Sequence, residues 1–265
     1  MQTYRLYSGW VTTLALLLIA WLVSSPGDTA PPARERTRAS TEAPAEEASG
    51  PPGDVLLAGR IVILDPGHGG TDKSLGDFGT EGVGPAPEKE IVLDVARHLA
   101  NLLRDAGAEV VMTRDDDVNP AQGTPYEAVP HGQLLARVAK AREAGGDVLI
   151  SIHGDASADP AVHGTTTYYY HERSKDLARH LQTAVVQARG SRDLGVRRKG
   201  FMVVRDVPVP AALVEIGFLT NPDEARQLAE PGERRLIAQA LFEGLRTYLG
   251  EKDGAEEEPS WTSER

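Results

Sequence analysis

The sequence predicts one α/β domain, layered, with a largely parallel central sheet flanked by helices. Three observations lead there. Short apolar runs suited to strands alternate with segments of helical period ten residues or longer, the order of strand–helix–strand units. The apolar runs are continuous, as strands covered on both faces require. The folded stretch, about 55–250, has the length of a single domain and contains no internal repeat.

The elements follow in chain order. Trp10 to Val23 holds 12 apolar residues of 14, with Arg5 ahead of it. A spanning helix wants about 20 apolar residues, and ~10–14 suits a signal-peptide core. Residues 1–25 are therefore expected to be a signal peptide or membrane anchor, touching the membrane during or after export. From Ser24 to Asp54 there are six Pro and no Val, Ile, Leu, Met, Phe, Tyr or Trp. A segment with nothing to bury cannot offset its ordering entropy, so 26–54 is expected to be a disordered linker. The domain then opens with a strand over Arg60–Asp65, a helix over Glu88–Ala106, a strand over Glu109–Arg114 and a helix over Gln133–Ala144. Strands are expected at Asp147–His153 and Thr165–Tyr170, a helix at Ser174–Arg189, and strands at Phe201–Arg205 and Ala211–Ile216. Helices over Pro222–Ala229 and Glu233–Leu249 complete it, and 251–265, with six acids against two bases, reads as a solvated acidic tail.

Composition excludes several classes. The formal charge of −11 and pI near 5.1 argue against a nucleic-acid partner, which would call for a basic face. Cys is absent, so disulfides, thiolate zinc sites and cysteine nucleophiles are excluded. The turn Asp65-Pro66-Gly67-His68-Gly69-Gly70 lacks the Gly-Lys-Ser/Thr of a phosphate-binding loop.

In parallel sheets ligands sit beyond the carboxyl ends of the strands. His68 follows the first strand, and His153 ends the strand at Asp147–His153. A lone strand-end His is usually structural, but two at the same sheet edge, with no Cys available, point to a metal. Helical geometry supplies a third donor. With Glu88 set at zero and 100° per residue, Ile91, Val92, Val95, Leu99, Leu102, Leu103 and Ala106 fall within about 60° of it. Glu88 therefore faces inward, while Glu90 points to water. An inward carboxylate is unfavourable unless paired or bound to a metal. His68, Glu88 and His153 make a zinc donor set with one position left for water, the layout of catalytic zinc. Glu215 is a further anomaly, a carboxylate within the apolar strand Ala211–Ile216. It is either a general base with its pKa raised by desolvation, or a partner of a buried arginine such as Arg114 or Arg137.

The motifs Leu64-Asp65-Pro66-Gly67-His68-Gly69-Gly70, Glu88-Lys89, Thr113-Arg114, Ser151-Ile152-His153 and Leu213 through Asn221 occur in that order. Together they resemble the zinc-dependent N-acetylmuramoyl-L-alanine amidases of the amidase_3 family, over nearly all of Arg60–Leu249. The resemblance implies zinc on His68, Glu88 and His153, and Glu215 as the catalytic glutamate. It implies a peptidoglycan hydrolase of the periplasm or cell envelope that cleaves the amide between N-acetylmuramic acid and L-alanine with zinc-activated water. A monomer is expected. Many members carry Asn where this chain has Asp155. Division-associated relatives also carry an insertion after the second histidine that folds into a blocking helix. Only the ten residues Gly154–His163 stand there in this chain, too few for such a helix and its connections. A long Gly/Pro loop, Asp115–Gly132, has no readable role. Two other readings fit the same residues: a non-catalytic wall-binding module, and a zinc peptidase or deacetylase acting on another wall amide.

Overall fold

The computed structural model describes residues 57–70, 77 and 79–257. The expected export segment and linker lie outside these residues. Among the described residues no helix is long and apolar enough to cross a membrane.

Six strands form one sheet: β1 Ile61–Pro66, β2 Glu109–Met112, β3 Val148–Asp155, β4 Thr165–Tyr169, β5 Asp193–Arg198 and β6 Ala211–Phe218. Their spatial order is β2-β1-β3-β6-β4-β5. Every neighbouring pair is parallel except β4 and β6, which run antiparallel. The helices are α1 Glu88–Asp105, α2 Gly132–Ala144, α3 Lys175–Arg189, α4 Met202–Arg205, α5 Pro222–Ala229 and α6 Pro231–Glu257.

Strand alternation sends side chains to opposite faces of the sheet, and each face has its own core. Val62, Leu64, Ile150, Ile152, Ala212, Val214 and Ile216 pack with the apolar stripes of α1, α3 and α6. Ile63, Leu149, Ala211 and Leu213 pack with α2 and with Val203 and Val204 of α4. The second cover is the smaller, and it leaves the carboxyl ends of β1, β3 and β6 open on that side. His68 follows β1 there, His153 lies on β3 and Glu215 on β6.

Two expectations are corrected. Phe201–Arg205 is not a strand: its apolar run forms the single turn of α4 and buries Val203 and Val204. An apolar run of four residues has no measurable period, and packing decides its form. The strand next to β4 is instead β5, an edge strand with no fully buried residue and therefore no apolar signature. The stretch 251–257, expected to belong to the tail, is helical, because α6 runs on to Glu257; Glu251, Lys252 and Asp253 are exposed on it.

Candidate metal centre and active site

His68 sits one turn beyond β1 with φ 59°, a left-handed conformation unusual for a residue with a side chain. Two buried arginines hold it there by backbone oxygens. Arg137 donates to the carbonyls of Pro66 and His68, and Arg114 donates to those of Pro66, Gly67 and Lys89. Arg137 is itself fixed by Asp65 at 2.7 Å, and Asp65 also accepts from Thr113 and Ser151. Burial alone would raise the Asp65 carboxyl, but Arg137 and these hydroxyls bring it down to about 2. Neither arginine pairs with Glu215. That alternative for the glutamate is set aside by where the guanidinium groups go.

Glu88 opens α1 and is 1% exposed, whereas Glu90 is exposed, as the helical wheel requires. Its Oε2 accepts from the Thr80 amide at 2.7 Å and its Oε1 from the Gly154 amide at 2.9 Å. The free edge of Oε1 lies 2.8 Å from His68 Nε2 and 3.2 Å from His153 Nδ1, and these two nitrogens are 3.0 Å apart. The rings meet edge to face, 4.8 Å between centroids. Donors bound about 2.0–2.1 Å from a tetrahedral zinc stand roughly 3.3 Å apart, so this cluster matches the spacing a zinc ion needs. Burial works against the charged forms, yet the mutual contacts win: His68 is pushed up to about 9 by Asp77 and Glu88, and Glu88 is held well below the carboxylate range by His153 and His68.

Asp77 was not legible beforehand. Its Oδ1 stands 2.8 Å from His68 Nδ1, a contact without hydrogen-bond alignment, and its Oδ2 accepts from Gln133 Nε2 at 2.8 Å. A carboxylate behind a ligating imidazole fixes the ring's tautomer and orientation. The signal available was an acidic residue in the glycine-rich loop after His68, and that signal is weak.

Glu215 is the register partner of His153 across β3 and β6. It is 9% exposed, and its Oε2 is buried with no hydrogen-bond partner. Burial, with the charges of Asp155 and Glu88, raises its carboxyl to about 8. Glu215, the three donors, Asp155, Phe201, Met202 and Leu213 line one open cleft of about 440 Å³. One cleft thus brings together three side chains that could hold a metal ion and a buried carboxyl with an unsatisfied oxygen.

Residues 62–247 match the family described as N-acetylmuramoyl-L-alanine amidase, Amidase_3. The chain belongs to this family. It is 32% identical over 194 residues to "Probable cell wall amidase LytH" of Staphylococcus aureus, and 31% identical over 195 residues to the protein of the same name in Staphylococcus saprophyticus. These alignments take in 73% and 74% of the chain but only 60% of each relative's length. Among solved structures, an amidase of the family from Clostridium difficile 630 superposes with a TM-score of 0.64 at 32% identity, covering 73% of this chain and 98% of that one. The catalytic domain of CwlV, from Bacillus (Paenibacillus) polymyxa, gives 0.63 at 31% identity, covering 72% and 98%. The amidase fold of this family is thus the fold of the described domain.

Proposed function

We propose that the chain is a zinc-dependent N-acetylmuramoyl-L-alanine amidase that cleaves the amide joining N-acetylmuramic acid to L-alanine in peptidoglycan, acting in the cell envelope. The observation that carries this reading is the convergence of three metal donors and one unpartnered buried carboxyl in a single cleft. His68 Nε2, Glu88 Oε1 and His153 Nδ1 would hold the ion. Zinc bound there would lower the pKa of a water molecule and polarise the scissile carbonyl.

The protein's own groups do the rest. Asp77 stands against the Nδ1 side of His68 and favours a proton there, which leaves Nε2 for the ion. The amides of Thr80 and Gly154 hold Glu88 in place. Glu215 takes the proton of the attacking water on its carboxylate and returns it to the departing amine of L-alanine. A dication in the donor set draws its carboxyl down from about 8 towards working pH, where such a base is most effective. A wall-binding module without catalysis would have no use for this buried carboxyl.

Incubating the zinc-loaded protein with purified peptidoglycan should release stem peptides bearing a free L-Ala amine, read by mass spectrometry. Shortened or deacetylated muropeptides in their place would transfer the site to peptidase or deacetylase chemistry. Glu215→Gln should keep zinc and fold while losing hydrolysis by ~100-fold or more, and near-normal turnover would remove Glu215 from the mechanism. We further infer that residues 1–25 direct export. A fusion of 1–54 to a reporter active only outside the cytoplasm should be active, and a silent, cytoplasmic fusion would refute it.

A further inference from the structure

The cleft is acidic, with Asp77, Glu88, Asp155 and Glu215 on its walls. On its rim stands a stretch of opposite sign, Arg197-Arg198-Lys199, exposed at the end of edge strand β5 in a chain of net charge −11. Arg198 turns away, donating to the Tyr170 carbonyl at 2.8 Å. Lys199 turns inward. Its ammonium lies 4.3 Å from the centre of the Phe201 ring and 5.2 Å from that of Tyr168, two rings packed edge to face. Arg197 and Lys199 both exert their charge on Asp155, and Arg197 also on the Tyr168 hydroxyl. Among the described residues, neither Arg197 nor Lys199 makes an ion pair with a carboxylate. Contact with ring faces fixes an ammonium in place without neutralising it, and leaves its remaining donors to a ligand.

We propose that Lys199, with Arg197 beside it, forms the subsite for a carboxylate on the peptide side of the scissile amide. The inference rests on the amidase reading and names the substrate feature that the cleft selects. A cation fixed at the mouth of the cleft attracts an anionic group of the peptide and gives it a place to pair. Phe201 and Met202 line the cleft immediately beyond Lys199, so an aliphatic portion of the same peptide has apolar surface to cover. Because Lys199 also acts on Glu215, it has an alternative role as a neutraliser of that carboxyl, and the two roles separate experimentally.

The test uses the full zinc-loaded chain and two synthetic muramoyl peptides, identical except that one carries a free carboxylate in the peptide and the other a carboxamide. The wild type should prefer the acid by about tenfold in kcat/KM, through KM, and the preference should shrink as salt is added. Lys199→Gln should bring the ratio near one, and Lys199→Arg should restore it. Parity in the wild type overturns the proposal. So does a Lys199→Gln enzyme slowed equally on both substrates with a displaced pH profile, the signature of a lysine acting through Glu215. If the wild type cleaves neither peptide, it is the amidase reading that falls. The subsite is then judged by equilibrium binding of the two peptides to Glu215→Gln, where parity refutes it.

Discussion

Glu215 is the residue at which folding and chemistry compete. A buried carboxyl with no donor to meet it is tolerated when protonated and resisted when ionised, so in the metal-free protein its pKa stands at about 8 instead of the ordinary 4.5. A group whose pKa is raised on folding contributes stability that is complete below its unfolded value and lost as pH rises through the folded one. Metal-free wild type should therefore lose ground to metal-free Glu215→Gln between about pH 4.5 and pH 8. Denaturant melts of both proteins across that range would show a widening gap in midpoint; parallel midpoints would mean that the carboxyl is solvated. At this scale the sequence was informative where a residue broke a pattern. Glu88 interrupts an apolar helix face and Glu215 an apolar strand, and each stood out for that reason. Asp77 breaks nothing, since an acid in a glycine-rich loop is ordinary, and only the folded backbone brings it behind His68.

The turn after β1 does the most demanding work among the elements. It must deliver His68 in a left-handed conformation while passing close under the ring of His153. Gly67 makes the passage possible, because a Cβ built on it would fall within the His153 imidazole. Gly67→Ala should consequently leave the sheet intact and displace His153 from the donor set. Circular dichroism like the wild type's with stoichiometric zinc lost is the expected pair of results, and full zinc occupancy in the folded variant would contradict it. The elements readable beforehand carry long signals: α1 has an apolar stripe that repeats over five turns, and β3 and β6 are largely apolar runs. α4 is mistaken for a strand because four apolar residues fit either state, and β5 goes unread because an edge strand needs no apolar residues at all.

For the molecule as a whole, access to the cleft decides whether a partner is needed. The connection from β3 to β4 contains no helix, and the cleft is open to solvent. The purified protein should release dye from labelled sacculi with no added activator. Inactivity of the intact protein, cured by shortening the 115–132 loop, would identify that loop as an inhibitor. The order of the strands has a separate consequence, in time instead of space. β6 is the last of the described strands to be synthesised, yet it is hydrogen-bonded between β3 and β4 in the interior of the sheet. Until residue 218 has emerged, β3 and β4 have no strand to join them and the site has no Glu215. A growing chain cannot complete the cleft piece by piece; the sheet closes and the cleft gains its last wall in one late, long-range step, slow by the standards of local folding.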